Sequence, residues 1–297
     1  MTERRMMNIV VCVKEVTYVY APATIDRRSE QIDQEAIVKI MNPFDEYALE
    51  WALQIKNKSN GRAKVIVLTF GEPRVREMLS YCLSLGADEA CLIREDDFPP
   101  LDAWTRALVL SRGIRQIGFD VVFCGKHAVD DNLGLVGGYL AGFLNIPWLS
   151  NINYVEFAET DQGLLCHRMA GKTKIEKVKV PFPILLITEK GGIALSYPSL
   201  PEIFKSRHKI IAELKGKDLS LIPETVTDQK LMKDVRLIPP KPKPMFTIDS
   251  GLSAGDRLKM IMSGGLAKKT DSKLLEGKKE DIVPKVVQYL IDQASPF

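Results

Sequence analysis

The residues best suited to chemistry lie in one stretch, Asp120 to Pro147, DVVFCGKHAVDDNLGLVGGYLAGFLNIP. Its apolar start, Val121-Val122-Phe123-Cys124, reads as a buried strand. Gly125 ends that strand, and a polar segment from His127 to Asn132 follows with the adjacent carboxylates Asp130 and Asp131. Gly134, Gly137 and Gly138 stand at the entrance to an amphipathic run, Val136, Tyr139, Leu140, Phe143 and Leu144, the stripe of a helix packed on a sheet. A strand, a Gly-rich turn and a helix N-terminus in that order present free N–H groups and the positive end of a helix dipole at one point. That is the chemistry of phosphate binding, and glycine there leaves room for close approach. The same pattern also serves an ordinary strand–loop–helix connection, and pattern alone leaves both readings open.

Other chemistries find less support. Asp130 and Asp131 are neighbours, so in extended chain they point to opposite sides and make a poor acid–base pair. A carboxylate at a helix entrance serves as a cap or as a ligand to ribose hydroxyls. His127, His167 and His208 sit in no catalytic spacing, and neither G-x-S-x-G nor H-E-x-x-H occurs. Lys14-Glu15 follows the first apolar run, where a dinucleotide fingerprint or a phosphate loop would stand. Ser263-Gly264-Gly265 is too late in the chain for such a loop and reads as a plain turn. Cys12, Cys82, Cys91, Cys124 and Cys166 form no C-x-x-C and no metal-ligand spacing; they read as small buried hydrophobes in a reducing cytoplasm. The site is built to bind rather than to transform.

The elements that must position this stretch follow from periodicity. The chain has 297 residues and 45% hydrophobic content, enough for one large domain or a domain with an appendage. No apolar run is long enough to span a bilayer, and the one after Arg4-Arg5 is too short for a secretory signal. A net charge of +3 does not imply nucleic acid. Ile9–Val13, Lys64–Thr69, Ala90–Ile93 and Val121–Cys124 read as strands. Between them come helices: one opened by an N-cap Asn42 with Pro43 at its first position, one over Val75 to Leu83, and one from Ala103 to about Ile117 capped by Asp102. Ala21 to Glu35 reads as a surface loop or hairpin. Such alternation predicts a parallel sheet covered on both faces, with ligands bound beyond the carboxyl ends of the strands. Cys12, Phe70 and Gly125 fall at those ends. Asn153–Phe157, Leu164–Met169 and Lys174–Val180 read as antiparallel additions joined by a turn at Asp161-Gln162-Gly163. Ile184–Thr188 is a further apolar strand; an exposed loop, Gly191 to Pro201, and a helix from Pro201 to Arg207 follow it. Pro239 to Pro244 is an extended linker, and helices at Ala254–Met262 and Asp281–Gln293 are too short to be stable alone. The expected division is 1–238 for the nucleotide-binding domain and 239–297 for linker and helical arm.

The stretch GKHAVDDNLGLVGGYLAGFL resembles the nucleotide-binding signature of the electron-transfer flavoprotein beta subunit. Val11-Cys12-Val13-Lys14, Met41-Asn42-Pro43-Phe44 and Tyr197-Pro198-Ser199-Leu200-Pro201-Glu202-Ile203 agree with that family in order and spacing, over about Asn8 to Lys217. The resemblance implies an α/β fold of the adenine nucleotide α-hydrolase-like, Rossmann-like kind. It implies an alpha-subunit partner that holds the redox-active FAD, with AMP in this chain, or a second FAD in bifurcating members. By position it places Cys12, Asn42, Phe70, Asp131, Gly134, Leu135 and Val136 around the nucleotide, with Ala128 and Val129 lining the adenine and Gly125, Asp130 and Gly137 in the same turn. It carries Phe44 and a tyrosine near Tyr18 toward the alpha subunit's flavin, Arg168 to a place near nucleotide or flavin, and Leu200 to a recognition loop for an acyl-CoA-type or other flavin dehydrogenase.

There are departures. AMP-binding members carry Asn-Gln-Thr where this chain has Gly134-Leu135-Val136, so backbone N–H groups must do more of the phosphate binding. Val136-Gly137 is closer to bifurcating members, but Asp130-Asp131-Asn132-Leu133 replaces their Asp-Gly-Asp-Thr. An acidic residue expected near Arg168 is missing from Met169-Ala170-Gly171-Lys172. Two rivals stand beside this reading: a stand-alone nucleotide-binding sensor and an adenylate-forming or ATP-hydrolysing enzyme.

Overall fold

Ile9, Val10 and Val11 are apolar and β-branched, the composition of a strand buried on both faces. In the computed structural model, β1 (Met7–Cys12) lies mid-sheet, paired in parallel with β6 (Ala63–Gly71) on one side and β8 (Val121–Gly125) on the other. The structure describes residues 6–19, 25–26, 31–32, 37–98, 100–158, 163–171, 173–222, 226, 228–232, 253–262, 277 and 279–294. Among them the main sheet has nine strands in the order β11-β10-β9-β12-β8-β1-β6-β7-β13. The remaining members are β7 (Glu89–Arg94), β9 (Trp148–Phe157), β10 (Gly163–Met169), β11 (Ile175–Pro181), β12 (Ile184–Thr188) and β13 (Ile211–Leu214). All pairings are parallel except those of β10 with β9 and β11. The mostly parallel α/β sheet with antiparallel additions is as the sequence predicts.

Alternation along the strands gives the sheet two cores. Ile9, Val11, Val65, Val67 and Phe123 face α1 (Pro43–Lys58) and α2 (Arg76–Leu85), with Trp51, Leu49, Ile55 and Leu79 fully buried against them. Val10, Cys12, Leu68, Val122 and Cys124 face α3 (Ala103–Ile117) and α4 (Val136–Leu144). Each fully buried aliphatic side chain contributes roughly 1.5–3 kcal/mol. Asp102 caps α3 as its sequence suggests: its Oδ1 accepts the Thr105 N–H at 2.9 Å, and Thr105 Oγ1 accepts the Asp102 N–H at 3.1 Å.

The hairpin reading of Ala21 to Glu35 holds: β3 (Ile25–Asp26) pairs antiparallel with β4 (Gln31–Ile32). Three other features depart from the sequence expectation. β2 (Glu15–Val19) and β5 (Ile37–Met41) form an antiparallel ribbon. β13 adds a parallel edge beside β7. Leu200 opens the helix α5 (Leu200–Ser206) instead of tipping a loop, because Ser199-Leu200-Pro201 places a proline in the first turn, where its missing N–H costs nothing.

The chain separates into two compact units, up to Pro239 and from Pro240. The second contains α6 (Ala254–Met262) and α7 (Lys279–Ala294). The turn residues Asp161-Gln162, the proline run Pro239 to Pro244 and Ser263-Gly264-Gly265 lie outside the described residues.

Candidate functional site

From β1 the chain steps through β6 and β7 toward one edge, then crosses back to place β8 on the other side of β1. The crevice beyond the carboxyl ends of β1 and β8 is therefore the topological switch point, where open α/β sheets bind ligands. An open cleft lies there, and its walls come from both halves of the sheet. It is lined by Cys12, Asn42, Phe70, Gly125, Ala128, Asp131, Gly134, Leu135, Val136 and Gly137, so ten of the residues singled out by sequence meet in one place.

Each is held by a traceable cause. Asn42 precedes Pro43 at the start of α1, but it is not the side-chain cap the sequence suggests. Its Nδ2 donates to Asp45 Oδ1 (3.0 Å) and to the His127 carbonyl (2.9 Å), while its Oδ1 accepts the Val129 N–H (3.3 Å). The amide thus pins the β8–α4 loop and makes no side-chain bond to the helix's free N–H groups. Asp131 closes a local turn by accepting the Leu133 N–H at 3.1 Å, and its other oxygen meets Lys14 Nζ at 3.2 Å. Asp130 takes the same ammonium at 2.8 Å.

The glycines serve three different ends. Gly134 has φ +63, a left-handed conformation that aims the chain into α4. A Cβ on Gly125 would collide with Asp45 Oδ1 and with Phe44. One on Gly137 would sit 2.7 Å from Ile187 Cδ1 of β12, so this glycine lets α4 lie close on the sheet. Gly138 faces open space. Among the described residues no acceptor meets the N–H groups of Val136, Gly137 and Gly138, and no side chain caps α4. The helix therefore directs unpaired donors outward at the cleft.

Sequence reasoning missed Asp45, buried and in the cleft wall. Burial pushes its carboxyl up to about 7, against the pull of hydrogen bonds from Asn42, from the Lys14 N–H (2.8 Å) and from the Gly125 N–H (3.1 Å). The available signal was an acid next to Asn42-Pro43, but acids in first helical turns are ordinary. Arg106 and Lys126, also in the wall, were missed too. Cys12 and Cys124 form part of the floor. The Cys124 thiol is pushed well above the usual thiol range by its hydrogen bond with Cys12 and by burial, which leaves it a poor nucleophile. All five cysteines are free, and among the described residues no cluster of His, Cys, Asp and Glu could hold a metal.

The other sequence-predicted residues lie outside the cleft wall. Phe44 is buried, its ring against His127 (centroids 4.1 Å apart) and under the Lys190 ammonium at 4.5 Å. Val129 and Asp130 belong to the pinned loop, Val129 by its N–H to Asn42 and Asp130 by its ion pair with Lys14. Tyr18 is exposed on the β2–β5 ribbon. Arg168 lies on β10, three strands from β8, with its Nε 3.5 Å from Glu176 Oε2 on β11. Leu200 is 70% exposed, beside exposed Tyr197 and Phe204.

The arrangement can hold a flat apolar group between Phe70, Leu110, Leu133 and Leu135 and an anion at the start of α4. Comparison with known proteins places that geometry in context. Residues 31–218 match the electron transfer flavoprotein domain model. The chain belongs to the electron-transfer flavoprotein beta-subunit family. It is 32% identical to the electron transfer flavoprotein subunit beta of Bacillus subtilis (strain 168), over 79% of this chain and 89% of the relative. It is 34% identical to the subunit of the same name from Clostridium acetobutylicum, over 72% and 81%. The caffeyl-CoA reductase-Etf complex subunit CarD of Acetobacterium woodii is 33% identical over 73% and 82%. The family match spans α1, α3, β8 and α4, hence most of the cleft, while β1 and β2 precede it.

Proposed function

We propose that this chain is the beta subunit of a heterodimeric electron-transfer flavoprotein that binds an adenine nucleotide in the β1–β8 cleft. It would pair with an alpha subunit holding FAD and pass electrons from a flavin dehydrogenase, acyl-CoA-type or other, to a downstream acceptor. The observation that carries the reading is the coincidence of the family signature, the switch-point cleft and the uncapped start of α4. The residues fit the group: apolar walls suit adenine, and the N–H groups of Val136, Gly137 and Gly138 suit a phosphate. The Asn42 amide would hold the Ala128-Val129 backbone against the base. FAD, when bound, supplies the electron-transfer chemistry. Leu200 would serve as the apolar plug for the dehydrogenase, with α6 and α7 docking on the alpha subunit. Among the described residues no helix is long and apolar enough to cross a membrane, and a reducing cytoplasm is the proposed compartment.

A second reading puts FAD in this subunit, as in a bifurcating type. It is favoured by a recess that shares Lys14, Phe70 and Arg106 with the cleft and continues it past the end of β6. Co-expression with an alpha subunit tests both. A yellow heterodimer releasing FAD and AMP supports the simple carrier, and FAD alone at two per heterodimer supports the second reading. A colourless chain that never associates overturns both in favour of a stand-alone sensor.

A further inference from the structure

Three cationic side chains line the cleft: Lys14, Arg106 and Lys126. Two are already neutralised by carboxylates. Lys14 Nζ lies 2.8 Å from Asp130 Oδ1 and 3.2 Å from Asp131 Oδ2, and Lys126 pairs with Glu189. Arg106 has no carboxylate partner among the described residues. Among the described residues its one side-chain hydrogen bond runs from Nη2 to the Leu101 carbonyl at 3.3 Å. The two acids in the cleft wall are engaged elsewhere: Asp45 by Asn42, Lys14 and Gly125, and Asp131 by Lys14 and the Leu133 N–H.

Arg106 occupies a telling position. Ala103, Arg106 and Leu110 follow one another along the face of α3 that borders the cleft, so the guanidinium is the only polar side-chain group that face contributes. The bond to Leu101 uses one N–H of a five-donor planar fork and restrains the rest. The helix entrance in the same cleft, Gly134-Leu135-Val136, carries no polar side chain. An anion bound there finds backbone donors but no countercharge on its own loop. A partly desolvated anion is held better by a charge-assisted fork, and guanidinium matches phosphate geometry bidentately where an ammonium is a point charge.

We propose that Arg106 binds the phosphate of the nucleotide and thereby makes the cleft select a phosphorylated nucleotide over its nucleoside. This rests on the reading of the cleft as an adenine-nucleotide site. Arg106 supplies from α3 the side-chain contact that Gly134, Leu135 and Val136 cannot make.

The test is equilibrium dialysis of the full-length chain with labelled AMP and, separately, labelled adenosine, for wild type, Arg106→Gln and Arg106→Lys. The expected result is that Arg106→Gln loses roughly tenfold to a hundredfold in AMP affinity while adenosine binding is unchanged. Arg106→Lys, which keeps the charge without the fork, falls between. The ratio of AMP to adenosine affinity is the readout, so a general loss of packing does not imitate the effect. An unchanged ratio in Arg106→Gln, or an equal loss of both ligands, overturns the assignment of Arg106 and leaves the nucleotide site standing. Failure of wild type to bind either compound overturns the nucleotide site itself, and this proposal with it.

Discussion

The carboxylate of Asp45 accepts the backbone N–H of Gly125 at 3.1 Å and so ties the start of α1 to the end of β8. The same carboxylate accepts the Lys14 N–H just beyond β1 at 2.8 Å. One buried acid thus sets the spacing of the strand ends that form the cleft floor, and Gly125 must lack a Cβ to let it in.

This junction makes stability depend on pH. Burial raises Asp45 from 3.8 to about 7 in the folded chain, so between those values the folded state binds the extra proton. The stabilisation is fully present below about pH 4 and is lost as pH rises through about 7, on the order of 4 kcal/mol in all. Burial moves Glu46 the same way. Urea unfolding of wild type and Asp45→Asn at about pH 5 and about pH 8 reads the slope. The expected outcome is a clearly flatter pH dependence in Asp45→Asn; a slope equal to wild type contradicts the assignment.

Gly137 and Gly138 separate packing from helix propensity. Gly137→Val drives a side chain into Ile187 and is expected to cost about 1–3 kcal/mol by overpacking. Gly138→Ala points into open space within the first turn of α4 and is expected to stabilise by about 0.4–1 kcal/mol. Thermal unfolding of the two variants checks the opposite signs. Equal effects would show that Gly137 is not glycine for the sake of the α4–β12 contact.

These adjacent glycines show where sequence reading stops. Both stand at the start of α4, and from the pattern both look like room for a phosphate. Only the fold reveals that one faces β12, because Ile187 comes from a strand far along the chain. What was legible was local: the Asp102 cap of α3, the Asn42-Pro43 start of α1, and the apolar run of β1. The β2–β5 ribbon was not, since its two strands become strand only by pairing with each other across the intervening segment. Asn42 carries a cap signature, yet its amide is engaged by a loop from the other half of the sheet. Arg106 hides among the polar positions of an amphipathic helix.

Leu200→Ala is expected to weaken docking of a flavin dehydrogenase by about tenfold to a hundredfold, the worth of roughly 1.5–3 kcal/mol from one buried leucine. Its side chain is largely exposed, so the fold and the flavin content of the complex should not change. Electron-transfer rates at limiting dehydrogenase concentration read the effect. Unchanged rates would remove Leu200 from the docking surface.

Truncation after Pro239 should leave the first unit folded, since it forms a compact body by itself, and should weaken association with the alpha subunit. Circular dichroism of the truncated chain and its co-purification with the alpha subunit are the measurements. An unfolded truncated chain would show that the arm belongs to the core.

The most direct measurement is the adenine-nucleotide content of the purified complex, wild type beside Leu135→Asp. Leu135 is the N-cap of α4, 41% exposed and in the cleft wall. A carboxylate there complements the helix dipole, worth about 0.3–1 kcal/mol, and occupies the anion position in place of phosphate. The account predicts about one adenine nucleotide per wild-type chain, little or none in Leu135→Asp, and a melting temperature in the variant no lower than wild type. A Leu135→Asp complex that kept its full nucleotide content would contradict phosphate binding at the start of α4.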